Sequence, residues 1–165
     1  MIIIKVMSIL ILAGFAGYLG NKLSLANRGQ VSFREAYDLT GLPIVTFKQG
    51  KNKINLLIDT GSTKSVILPS LLDVIKSTDL NEGGTIFGME GNVINTSYVN
   101  IDFKLHKNDY SEKFQVVDMS SAFNAIKQDT GVTIHGILGN SFFENYGYVL
   151  DFKDFIAYSK WKILN

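Results

Sequence analysis

Leu56-Leu57-Ile58-Asp59-Thr60-Gly61-Ser62-Thr63 decides how this chain is read. Three apolar residues run into a carboxylate, and a small residue and a glycine follow at once. Residues 56–58 have the character of a buried strand, whereas Asp, Thr, Gly and Ser form strands poorly and turns well. The sequence therefore predicts a strand that leaves the core and turns sharply at Asp59. A charge at that point costs desolvation energy unless something uses it. An Asx-type turn that merely ends the strand is the plain structural alternative.

His135-Gly136-Ile137-Leu138-Gly139-Asn140 is the second informative segment. It places a glycine after an apolar pair, and a short helix is predicted after it over 141–146. Taken together, the two segments resemble the motifs of the aspartic peptidases, in the single-lobe, retropepsin-like form. The resemblance covers residues 42–158. It implies a mainly β, closed barrel-like lobe with one or two short helices. It also implies that Ile137, Leu138 and Gly139 thread beneath the catalytic loop and support it.

The same resemblance implies an endopeptidase that needs neither cofactor nor metal. Two carboxylates hold one water and share one proton, titrating as a pair. One lobe carries one such aspartate, so the partner is Asp59 of a second chain and the enzyme is a homodimer acting on polypeptide. Gly61 lets the backbone turn tightly and its N–H donates to Asp59. The Thr60 hydroxyl bonds across the two-fold axis, and Ser62 donates to the outer oxygen of Asp59. Phe87, Gly88, Met89 and Gly91 sit where the family carries its substrate-covering flap; an ordinary surface hairpin is the other reading. Two departures stand out. Ser62 replaces the usual retroviral Ala, and Asn140 replaces an Arg that helps to build the retroviral dimer. A non-catalytic peptide-binding or dimerisation module on the same fold is the alternative function.

Composition narrows the rest. The chain has 165 residues, room for one lobe rather than the two of a pepsin. A net charge of +1 gives no argument for nucleic-acid binding, and the lack of cysteine excludes disulfides and thiol catalysis. Two histidines, His106 and His135, make a poor basis for a metal site. Residues 1–20 differ in kind, being strongly apolar with a single charge, Lys5. They are expected to form a hydrophobic helix that anchors the chain to a membrane in a single pass. If Ser24-Leu25-Ala26 is a cleavage site, they are a leader and the protein is secreted. Residues 21–41 read as a linker with a helical turn around Phe33–Tyr37, and 42–165 as the peptidase domain.

Within that domain, 42–47 and 53–58 are predicted to form a hairpin, and Pro69 to open a short helix. Strands are expected on either side of Gly88–Gly91, with Val99, Ile101, Phe103 and Leu105 on one face. Met119, Phe123 and Ile126 have the spacing of a core-facing helix. A second Asp-Thr-Gly, at Asp129-Thr130-Gly131, has no strand leading into it and no room for a second lobe after it. It is read as a loop.

Overall fold

A computed structural model describes residues 2–87 and 93–160, the side chains of 2–10, 12–13, 86–87 and 93–94 excepted. In chain order the elements are α1 (Ile2–Asn27), β1 (Gln30–Ser32), α2 (Arg34–Thr40), β2 (Ile44–Gln49), β3 (Asn52–Ile58), β4 (Ser65–Ile67) and α3 (Pro69–Leu72). There follow β5 (Thr78–Phe87), β6 (Val93–Leu105), β7 (Asn108–Val116), α4 (Ser120–Thr130), β8 (Gly136–Leu138), α5 (Asn140–Tyr146), β9 (Tyr148–Asp151) and β10 (Ile156–Ser159).

The larger sheet runs β2-β3-β8-β4-β7-β6-β5. A pairing of Lys48 with Lys104 joins β2 to β6, which closes six strands into a barrel and leaves β5 outside as the arm of a hairpin. The barrel is mixed: β8 lies parallel to β3 and antiparallel to β4, and β4 lies parallel to β7. Closure removes the exposed strand edges that an open sheet would present.

Alternation along the strands builds the core. Ile54, Leu56 and Ile58 of β3 point inward, as do Ile101, Phe103 and Leu105 of β6. Phe47, Phe103, Tyr110, Phe142 and Tyr148 meet at the centre of the barrel, with Phe47 and Phe103 edge to face at 4.9 Å. Such ring pairs add to the area they bury, each contributing about 0.5–1.5 kcal/mol. Phe142, fully buried, pins α5 to this cluster. Phe123 of α4 joins a second cluster with Ile44, Ile134 and Ile137, in keeping with the spacing of Met119, Phe123 and Ile126.

Three expectations change. The stretch 21–41 is ordered structure: β1 pairs with β10, and Phe33 is buried against Phe152 and Phe155 at 5.5 and 5.7 Å. Its two aromatics, Phe33 and Tyr37, both pack on Phe152 and Phe155. The second change concerns Asp129 and Thr130, which end α4 rather than lie in a loop. Gly131 caps that helix at φ +76° and donates to the Lys127 carbonyl. The third concerns the N-terminal helix. Residues 2–27 are helical, but among the described residues no helix is long and apolar enough to cross a membrane. Its later turns contact the domain: Leu25 is buried, and Tyr18 and Lys22 reach Glu35 at 2.5 and 3.5 Å.

Candidate active site

Strands β3 and β4 follow one another in sequence but do not touch; β8 is inserted between them. The connection from Asp59 to Lys64 must therefore arch over the end of β8. Three backbone bonds fix the arch. The Asp59 N–H donates to the Leu138 carbonyl at 3.0 Å, the Ser62 N–H to the Asp59 carbonyl at 3.2 Å, and the Asn140 N–H to the Ser62 carbonyl at 2.8 Å. Ile137 and Leu138 are buried in β8, paired with Leu57 and Ile58. The two sequence motifs thus meet in space.

Gly139 is the tightest point. A β-carbon there would stand 2.5 Å from the Lys64 carbonyl oxygen and 2.8 Å from that of Ser62. Gly136, at the start of β8, is similarly pressed, with the Val66 carbonyl 2.3 Å from the same hypothetical atom. These contacts give the glycines their physical reason: β4 at Gly136 and the turn at Gly139 approach closer than a side chain permits.

On the arch, Asp59 is half-buried while Thr60 and Gly61 are exposed. The Gly61 N–H donates to Asp59 Oδ1 at 2.8 Å, as expected, and orients the carboxylate. Ser62 departs from expectation: its hydroxyl donates to the Lys64 carbonyl at 2.7 Å, which tightens the turn and leaves Asp59 alone. The four expected catalytic positions are therefore together on one turn, with Ser62 serving the backbone.

Sequence reasoning missed the layer beneath. Glu112 of β7 is 2% exposed. Its Oε1 accepts the hydroxyls of Ser65 at 2.8 Å and Ser141 at 2.7 Å. Ser65 Oγ in turn accepts the Gly139 N–H at 3.1 Å. Burial pushes the Glu112 carboxyl above its ordinary range, against the hydrogen bonds from Ser141, Ser65 and Asn145, which pull it down. The alternation of β7 carried the signal: Tyr110, Glu112 and Phe114 share the inward face, and an acid there is out of place.

His135, half-buried, is structural. Its Nδ1 accepts the Asn55 N–H at 2.9 Å, its own N–H donates to the Asn55 carbonyl at 2.9 Å, and its carbonyl accepts the Leu68 N–H. Burial lowers its pKa below the usual value. The bond at Nδ1 requires that nitrogen bare.

The β5–β6 hairpin starts beside the arch. Lys64 Nζ donates to the Tyr98 hydroxyl at 2.7 Å, and Lys113 lies over the Tyr98 ring at 4.5 Å. Register pairs Phe87 with Val93, so the hairpin expected around Gly88–Gly91 forms. Its tip, with Gly88, Met89 and Gly91, and the side chain of Phe87 lie outside the described residues. Among the described residues no group of acidic and histidine side chains is arranged to hold a metal.

No protein-family model and no curated protein sequence matches this chain. Among solved structures, the chain is similar to the EIAV protease complexed with the inhibitor HBY-793. The identity is 19% and the TM-score 0.48, covering 70% of this chain and 97% of that one. At that distance the chemistry has to be argued from the residues of this chain.

Proposed function

We propose that this protein is an aspartic endopeptidase whose site is completed by Asp59 of a second copy. The observation that carries the reading is the seating of Asp59. Its carboxylate stands at the end of a buried strand, oriented by the Gly61 N–H, on a turn locked over β8 at a glycine where no side chain fits. A turn built that tightly holds one carboxylate in one place, which general acid–base work requires.

Chemically, two such carboxylates facing each other cannot both be ionised. The ionised one takes a proton from the water between them as that water attacks the peptide carbonyl carbon. The protonated one donates to the carbonyl oxygen, and the resulting tetrahedral species collapses with proton transfer to the leaving amine. In this reading the β5–β6 hairpin, whose strand β6 meets the arch through Tyr98 and Lys64, covers an extended peptide bound by strand-like hydrogen bonds. A membrane-anchored or secreted location rests on the composition of residues 1–20 alone, and sedimentation with lipid vesicles before and after their removal tests it.

The test is cleavage of a mixed peptide pool, followed by mass spectrometry, with and without a statine-type mimic of the tetrahedral species. Wild type should cleave and Asp59→Asn should lose about 10²–10⁴-fold while keeping its fold. A fully active Asp59→Asn protein would sink the aspartic mechanism.

A further inference from the structure

We propose that Glu112 is a positioning residue for the Asp59 turn, acting through Ser65 and Ser141 on the two segments that hold the turn in place. The inference rests on the peptidase reading for its catalytic consequence only. Its structural content stands alone.

Ser65 opens β4, directly after the arch, and Ser141 lies in the first turn of α5, directly after Gly139. Both hydroxyls donate to the same Glu112 oxygen. One buried carboxyl on a third element therefore ties together the two chain segments on either side of the contact between Gly139 and the turn. The arrangement also sets proton direction. Because the Ser65 hydroxyl is committed to Glu112, its oxygen lone pair faces the Gly139 N–H and accepts it. Asn140, one residue on, then donates to the Ser62 carbonyl inside the turn. The path from Glu112 to the Asp59 turn is continuous: carboxyl, Ser65 hydroxyl, Gly139 amide, Asn140 amide, Ser62 carbonyl.

An apolar side chain would be the ordinary occupant of this place. Ile101 lies opposite Glu112 on β6, and Tyr110 and Phe114 flank it on the inward face of β7, all buried. Placing a carboxyl there carries a desolvation cost that packing alone does not explain. What the carboxyl provides, and a leucine does not, is an acceptor for two hydroxyls at once. Buried polar networks of this kind gain rigidity when every member is satisfied.

The experiment compares Glu112→Leu, Glu112→Gln and Ser65→Ala in the full chain. Amide hydrogen exchange of Gly139 and Asn140 reads the turn directly, and kcat and KM on a cleaved peptide read its effect. Glu112→Leu and Ser65→Ala are each expected to lower protection of both amides by about tenfold or more. They should lower kcat by roughly ten- to a hundredfold with little change in KM, because a small misplacement of the reacting group acts on the chemical step. Glu112→Gln keeps an acceptor oxygen and should recover most of both losses. Ser65→Ala removes one hydroxyl and carries the test should Glu112→Leu fail to fold. Unchanged Gly139 and Asn140 protection in folded Glu112→Leu or in Ser65→Ala would overturn the proposal. So would a Glu112→Gln protein as impaired as Glu112→Leu. If the protections follow the expected order and wild type cleaves no peptide, the positioning role stands and the peptidase reading falls.

Discussion

Gly139 lies so close under Lys64 that a β-carbon on the glycine would stand 2.5 Å from the lysine carbonyl oxygen. Since that oxygen belongs to the backbone, it cannot swing away as a flexible side chain would. Gly139→Ala must push the Asp59 turn off β8. Overpacking of this type costs about 1–3 kcal/mol, occasionally more. Urea unfolding should show that loss, and peptide cleavage should fall with it. Gly83→Ala serves as the control, since nothing lies within 4 Å of a β-carbon there. Equal stability of the two variants would show that the turn has slack.

Pairing of two Asp59 residues predicts how activity dilutes. With wild type and Asp59→Asn chains refolded together in equal amounts, random pairing leaves about one quarter of dimers with two carboxylates. Activity per total chain should fall to that level. A self-sufficient monomer would keep about one half, so a linear decline with mutant fraction would overturn the shared site. Asp129→Asn, assayed alongside, should cleave normally, because Asp129 ends α4 on an exposed surface.

His135 makes stability depend on pH near neutrality. Its folded-state pKa lies below the ordinary 6.5. Between those two values the unfolded chain binds more protons, so stability rises with pH through that window. The contribution is complete above about 6.5 and is lost as pH falls through the folded-state value, where a proton on Nδ1 displaces the Asn55 N–H. Denaturant midpoints measured from pH 5 to 8 should show this slope, and His135→Gln should lack it.

Glu112 acts with the opposite sign in a different window. Burial raises its folded-state pKa above the ordinary 4.5, so the folded chain keeps its proton longer than the unfolded chain does. Stability should fall as pH rises from about 4.5 through the folded-state value, then level off. Glu112→Gln cannot ionise and should remove that fall. A wild-type profile that does not fall relative to the variant over the same window would mean that burial does not hold the Glu112 carboxyl above its ordinary value.

Legibility of the fold followed how local each signal was. Alternation in Val99, Ile101, Phe103 and Leu105 marked β6, and the spacing of Phe123 and Ile126 marked α4, because both patterns lie within one element. Asp59-Thr60-Gly61 and Ile137-Leu138-Gly139 were readable as motifs, and the structure joins them through β8. What the sequence hid lay in pairings between distant segments. Phe33 and Tyr37 are two aromatics in a polar stretch until β1 docks on β10 and they meet Phe152 and Phe155. Glu112, Ser65 and Ser141 belong to three elements, and nothing in one window says that they converge. Ser62 misled for a smaller reason: a hydroxyl beside a carboxylate has two acceptors within reach, and here the Lys64 carbonyl holds it.

The insertion of β8 between β3 and β4 also sets an order of events. The strand that underlies Asp59 is encoded far downstream, so contact between the two motifs is among the most non-local in the chain and comes at a high loop-closure cost. During synthesis the Asp59 segment emerges long before residues 136–140. Until those residues leave the ribosome, the nascent chain has an aspartate but no floor beneath it. Assembly of the Asp59 turn is thus withheld by topology alone, a delay written into the strand order.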